Sequence, residues 1–333
     1  MNGPDGEVDN DSGKRGHDER GRHADTPTAI PPKGLRDVFW RVVSEVIEDR
    51  VSLIAAGVTY YLLFASFPAL GVLVALYGFM ADPSTIATEI NFLSSILPPG
   101  ALDIVLAQLT TLTAQKTSTL SFAFVTSFLI ALWSANNGIK ALFDAMNIAY
   151  GETEKRSIIK LNLMSLAFTA AGLLVAAAVI FAIGIVPAAL AYLRLENWIE
   201  TLAAWARWPI ILIFIGTGIV MIYRYGPSRE NARLRWISWG AAFSTLIWLL
   251  ASMLFSFYLA NFADYNATYG TLGALIGFMV WIWISVIIVI VGAEINAELE
   301  HQTMCDSTTG PPVPMGDRGA VMADTLGRTA DGS

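Results

Sequence analysis

Charge is missing from long stretches that make up nearly half of this chain. Six stretches, residues 51–81, 117–139, 161–193, 208–223, 236–263 and 265–293, contain no Asp, Glu, Lys or Arg. Charged residues make up only 15% of the whole against 54% hydrophobic, where soluble domains carry roughly 25% charged. Cysteine and histidine are nearly absent too. Cys305 is the single cysteine and the three histidines are His17, His23 and His301, all outside the apolar stretches. An intrachain disulfide framework and a Cys-based metal site are therefore excluded, and no His/Cys/carboxylate cluster has metal-ligand spacing. Gly-x-x-x-x-Gly-Lys phosphate loops and Gly-x-Ser-x-Gly nucleophile elbows are absent as well. Asp103 and Asp144 have no catalytic partner at short range. No enzymatic chemistry and no cofactor is expected.

What is present is length without charge. A helix of about 20 apolar residues crosses a bilayer of roughly 30 Å. Five of the six stretches reach that length, and the fourth is flanked by Arg207 and Arg224, whose long side chains can snorkel to the headgroups. The expected fold class is all-α: a polytopic membrane protein, a bundle of six transmembrane helices with amphipathic helices before and between the spans. No signal-peptide pattern opens the chain, so the first span is expected to serve as an uncleaved insertion signal.

Lys and Arg mark cytoplasmic loops. Counted segment by segment, eighteen of the 21 lie on one side and three on the other, with the alternation kept at every loop. The expected location is a bacterial inner membrane, with both termini cytoplasmic. Eleven of the 28 acids fall in the first 50 residues among eight bases, a mixed-sign tail unlike a nucleic-acid-binding patch. Membrane lipids are the expected partners, with no nucleic acid.

Three domains are expected. Residues 1–33 are rich in Gly, Asp, Asn, Pro and Arg and read as a disordered tail. Residues 34–300 form the transmembrane domain, opened by an amphipathic helix over about 34–50. There Leu35, Val38, Phe39, Val42, Val43, Val46 and Ile47 recur at helical spacing. That helix either lies in the membrane interface or packs on the protein itself. Residues 82–116 hold two amphipathic segments joined at Pro98-Pro99-Gly100, an outer cap loop. Residues 301–333 read as a second disordered tail.

Several local features add detail. Pro68 falls inside the first span, where it removes a backbone donor and bends the helix unless neighbours compensate. Pro187 offers a similar kink in the third. Ser134-Ala135-Asn136-Asn137-Gly138 suggests a helix break, followed by a separate amphipathic helix over 139–150. Gly273/Gly277, Ala55/Thr59 and Gly184/Ala188 have the small-residue spacing of close helix packing. Ionisable groups are absent from the spans, which argues against steep proton or sodium coupling. The nearest is Glu294, placed to pair with Arg156 or Arg224. Hydroxyl and amide groups remain, and they can line a path for a polar solute or hydrogen-bond between helices.

The candidate site residues are Tyr60, Tyr61 and Pro68 along a central path, Asn137, Arg224 and Glu294 in a cytoplasmic polar cluster, and Tyr269 as an outer gate. Packing alone accounts equally for each.

Taken together, four segments carry a resemblance. They are Ala55-Ala56-Gly57-Val58-Thr59-Tyr60-Tyr61 with Phe67-Pro68; Trp133-Ser134-Ala135-Asn136-Asn137-Gly138 with Met146-Asn147-Ile148-Ala149-Tyr150 and Lys155-Arg156; Tyr223-Arg224-Tyr225-Gly226-Pro227; and Tyr269-Gly270-Thr271-Leu272-Gly273 with Trp281 and Gly292-Ala293-Glu294-Ile295-Asn296-Ala297. In this order and spacing, over about 35–300, the chain resembles the YihY/virulence factor BrkB family of bacterial inner-membrane proteins. It departs from the family at Gly57-Val58-Thr59, where small apolar residues are usual. The resemblance implies six membrane helices with both termini inside. The family's old label, ribonuclease BN, finds no support here, since a tRNA nuclease needs metal ligands or an acid–base pair and a basic RNA face. What the resemblance implies is transport or export of a lipid or a small uncharged or amphipathic solute. The alternative is a non-transporting envelope-integrity or scaffold protein.

Overall fold

The computed structural model describes residues 18–80, 117–180, 197–261 and 271–330. Among them are eight α-helices and no β-strand, only an isolated bridge between Ala232 and Thr308. The helices are α1 (Pro32–Glu48), α2 (Val51–Met80), α3 (Thr117–Ala149), α4 (Ile158–Ile180), α5 (Asn197–Tyr225), α6 (Leu234–Asn261), α7 (Thr271–Glu300) and α8 (Val321–Asp324). Helices α2 to α7 correspond one to one with the six charge-free stretches. Apolar windows long enough to cross a membrane lie at Ile158–Val175, Leu234–Leu259 and Leu275–Glu300, with shorter apolar helices at Val51–Ser66 and Pro209–Tyr225. The fourth stretch is not short as a helix: α5 begins eleven residues ahead of residue 208 and runs for 29 residues, through Pro209.

Each long helix packs on the next, and α7 closes back on α2 and also touches α3. Among the described residues the packed core sits at the end of this ring where helix starts and helix ends alternate. Val51, Ala55 and Val58 come from α2, Ala145 and Met146 from α3, Tyr223 from α5, Ile237 from α6 and Ile290, Ala293 and Ala297 from α7. That end carries most of the Lys and Arg and is called the basic end here.

Helix α1 resolves the two readings of the amphipathic segment by splitting its apolar residues. Val38 and Val42 are buried with Trp236 and Leu299, whereas Leu35, Phe39, Trp40 and Ile47 stay 45–70% exposed. One face packs on α7 and the other offers an apolar row to the surroundings.

The structure departs from expectation in three places. Helix α3 runs without a break through residues 134–138. Its polar groups are spent between helices: Asn136 Oδ1 accepts from Ser165 Oγ of α4, and a Cβ on Gly138 would lie 2.9 Å from the Leu62 side chain of α2. Close packing, not a turn, explains that glycine.

The second departure is in the tails. Residues 18–31 and 301–330 are not disordered but fold together over the basic end. Gln302 Nε2 donates to Arg20 O at 2.7 Å, Thr303 Oγ1 to Ala24 O at 2.8 Å, and Arg22 Nη2 to Gly327 O at 2.8 Å. The Arg318 guanidinium is buried and donates to Met304 O and Ala323 O, both at 2.7 Å. A composition poor in large apolar residues predicts disorder because it cannot build its own core. Here the segments use the bundle's end as the core and satisfy their backbone through side chains.

The third concerns close packing. Gly277 is in ordinary contact, a Cβ there lying 3.7 Å from Leu259, while the tightest crossing is at Gly240 and Gly292. Residues 82–116, Pro187 and Gly184/Ala188 lie outside the described residues.

Candidate functional site

At the α6–α7 crossing the backbones approach so closely that a Cβ on Gly240 would lie 2.0 Å from Gly292 O, and one on Gly292 would lie 2.0 Å from Ser244 Oγ. Small residues permit this approach and polar groups fasten it. The buried Tyr223 hydroxyl, on α5, is 2.7 Å from Ser244 Oγ and donates to Val289 O at 2.7 Å. Ser244 Oγ donates to Ile288 O, and Asn296 Oδ1 accepts from Gly240 N–H at 2.7 Å. This junction ties three helices without any charge.

A second group lies between α1 and α7, which run antiparallel. Arg41 hydrogen-bonds the Glu298 carboxylate through Nε and its backbone carbonyl through Nη2. His301 Nδ1 lies 3.5 Å from Glu298 Oε1. Two helical turns along α1 from Arg41, the Asp49 carboxyl meets that of Glu294. Burial raises the Asp49 carboxyl above its usual range, with Glu48 adding to the effect.

A third group lines a cleft of about 720 Å³ between the start of α4 and residues 225–231. Its walls include Lys155, Arg156 and Lys160 beside Met164, Tyr225 and Pro227. Arg156 is held by Glu154, at 2.6 Å, and by the carbonyls of Tyr225 and Gly226 at 3.0 and 2.8 Å. Arg156 in turn depresses the Glu154 carboxyl to about 2. Lys155 Nζ pairs with Glu152 at 2.8 Å. The adjoining residues Ile158, Ile159 and Leu163 are more than 60% exposed, so the cleft opens beside an apolar surface.

The expected site residues fall apart in this geometry. Tyr60 and Tyr61 are 57% and 39% exposed, stacked edge to face at 5.5 Å, on the side of α2 away from Ala55 and Val58. They do not line the packed core. Pro68 lies within α2, which continues through it, and Tyr269 is outside the described residues. Asn137 is half-buried on α3. Arg224 is half-buried, with its Nε unpartnered among the described residues and its guanidinium 5.7 Å from the Tyr225 ring. Among the described residues no hydrogen bond links Asn137, Arg224 and Glu294. Glu294 pairs with neither Arg156 nor Arg224, because α7 extends past residue 293 and carries Glu294 against the end of α1.

The residues that sequence reasoning passed over are Gly240, Ser244, Asn296, Asp49 and Glu298. The signal for two of them was available. Glu294 and Glu298 share a helix face four residues apart, as do Arg41, Glu45 and Asp49 on α1.

An all-helical bundle of this composition, with membrane-length apolar helices joined by polar junctions, defines a polytopic membrane protein. The family model for virulence factor BrkB matches residues 42–314, and the chain belongs to that family. It is 32% identical over 277 residues to the ribonuclease-like protein YfkH of Bacillus subtilis, covering 80% of this chain and 95% of that protein. A UPF0761 membrane protein of Idiomarina loihiensis is 31% identical over 108 residues, 32% of this chain and 37% of its own length. One from Tolumonas auensis is 33% identical over 84 residues, 25% and 27% of the two chains. No solved structure matches. The family is not a known enzyme class, and the ribonuclease-like name is a legacy label.

Proposed function

We propose that this protein moves a lipid or a small uncharged or amphipathic solute across the bacterial inner membrane. In this reading α2 to α7 are six crossings, with both termini and the basic end in the cytoplasm, as the Lys and Arg distribution supports. The observation that carries the reading is the cleft. It joins ammonium and guanidinium groups to Met164, Tyr225 and Pro227, and it opens beside the exposed apolar start of α4. A molecule with a polar head and an apolar body fits such a site, entering from the membrane side. The packed core closes the bundle at this end, so such a molecule would pass by rearrangement of the helices, not through a standing channel.

The test is lipid-resolved mass spectrometry of the purified full-length protein, followed by reconstitution into vesicles with a labelled lipid. Selective retention of one lipid class, weakened in Lys160→Glu, together with protein-dependent movement of the label, is the expected result. Absence of both would leave the second reading, a non-transporting envelope scaffold. That alternative draws on the folded cover of residues 301–330, which offers a partner an ordered surface.

A further inference from the structure

We propose that the cleft beside the start of α4 binds the phosphate of a phospholipid headgroup, with Lys160 as its cation and the exposed apolar face of α4 as the bed for the acyl chains. This deepens the transport reading and rests on it for the placement of that face against lipid.

The cations of the cleft differ in what they are free to do. Four bases line it, Lys155, Arg156, Lys160 and Arg229, against one acid, Glu230. The Arg229 guanidinium is engaged by Glu300, and that of Arg156 by Glu154 and the carbonyls of Tyr225 and Gly226. Both side chains are withdrawn from solvent and build the walls. Lys155 Nζ pairs with Glu152, whose other oxygen accepts from Val321 N–H at 2.7 Å. The Lys155 side chain stays half exposed, and an ammonium has three donors, so it keeps some to spare. Lys160 is exposed and has no carboxylate partner among the described residues. Its backbone N–H donates to Ser157 Oγ at 3.3 Å, so that hydroxyl accepts from the chain and keeps its own proton to donate.

Helical spacing decides the class of ligand. Ser157, Lys160 and Met164, three and four residues apart, line the cleft from one side of the start of α4. Ile159, Leu163 and Leu166, four and three apart, form the neighbouring face, and all three are exposed. Lys160 therefore stands at the seam, one turn from Leu163 on the apolar side and from Met164 on the cleft side. A free phosphate would meet the cation and leave the apolar row bare. A diacylglycerol would cover the row and leave the ammonium without an anion. A phospholipid satisfies both: its phosphate oxygens accept from Lys160 and Ser157, and its chains lie along Ile159 and Leu163. Glu230 belongs to the other wall, next to Gly319, which directs the phosphate to the α4 side.

The test is native mass spectrometry of the full-length protein, offered phosphatidylglycerol, a diacylglycerol with the same chains, and glycerol phosphate at equal concentration. The expected result is retention of phosphatidylglycerol alone, lowered about fivefold in Lys160→Gln, the worth of one basic residue facing an anionic headgroup. Lys160 is exposed, so this substitution leaves the fold in place. Arg235→Gln removes an exposed positive charge outside the cleft lining and is expected to leave retention unchanged. Equal retention of the diacylglycerol overturns the phosphate assignment, and equal binding of glycerol phosphate overturns the lipid assignment. Equal losses in the two variants overturn the site itself, leaving only general surface charge. Retention of phosphatidylglycerol without movement of a labelled lipid in vesicles would keep this site and overturn the transport reading. Movement of a phosphate-free lipid, unchanged in Lys160→Gln, would do the reverse.

Discussion

Arg229 and Glu300 form an ion pair at 2.7 Å in which both side chains are almost wholly withdrawn from solvent, 2% and 0% exposed. Ser307 Oγ donates to Glu300 Oε2 at 2.7 Å, and the guanidinium lies 5.0 Å from the centre of the Tyr150 ring. The pair joins the loop after α5, the end of α7 and the C-terminal segment. Removing one partner of such a pair strands a buried charge, which costs about 3–5 kcal/mol. Arg229→Met is expected to lower stability by that order, and Arg229→Met/Glu300→Leu by less. Thermal unfolding of the purified protein in one detergent checks the order of the two variants.

The α6–α7 crossing makes a contrary prediction for helix propensity. Alanine is a better helix former than glycine by roughly 1 kcal/mol. At Gly240 and Gly292 the added Cβ would stand 2.0 Å from a neighbouring oxygen, so alanine is expected to destabilise by about 1–3 kcal/mol or more. Gly57→Ala, where nothing lies within 4 Å, is expected to be neutral or mildly stabilising. The three midpoints measured side by side decide it.

Acid sensitivity is expected from Glu154. Its carboxyl is held near 2 by the Arg156 hydrogen bonds, against an ordinary 4.5. A depressed carboxyl stabilises the fold above its unfolded value and loses that contribution as pH falls toward the folded one. The thermal midpoint is therefore expected to fall between about pH 4.5 and pH 2, and Glu154→Gln to flatten that limb while lowering the neutral-pH value. A pH series of melting curves on both proteins is the measurement.

The C-terminal cover depends on Arg318, whose side chain is 5% exposed and whose donors hold the carbonyls of Met304, Val313 and Ala323. Arg318→Ala leaves the buried Ala323 carbonyl unpaired, at about 1–3 kcal/mol, and releases the partly buried carbonyls of Met304 and Val313. Faster amide exchange and proteolysis across 303–330, with α2 to α7 unchanged, is the expected outcome.

Much of the architecture was legible because apolar runs without charge leave a chain few alternatives. Each of the six stretches is helical through its described residues, and the amphipathic spacing around 34–50 falls on the helix Pro32–Glu48. Less legible was what polar residues do at helix ends. Asn136 and Gly138 have the composition of a break, yet they serve contacts with α4 and α2 inside a continuous helix. The tails have the composition of disorder, but Arg22, Gln302 and Thr303 find backbone acceptors on distant segments. Local composition carries no information on partners nearly 300 residues away.

The sequence by itself determined where helices form and which of them are apolar enough for a bilayer, because both follow from composition within a window of about 20 residues. It also marked Glu294 as an unusual acid at the edge of an apolar run. Only the tertiary structure decided what that acid faces. The packing of α1 on α7 sets Asp49, and not Arg156 or Arg224, beside it. Such a meeting depends on the packing of α1 against α7, which no local pattern encodes.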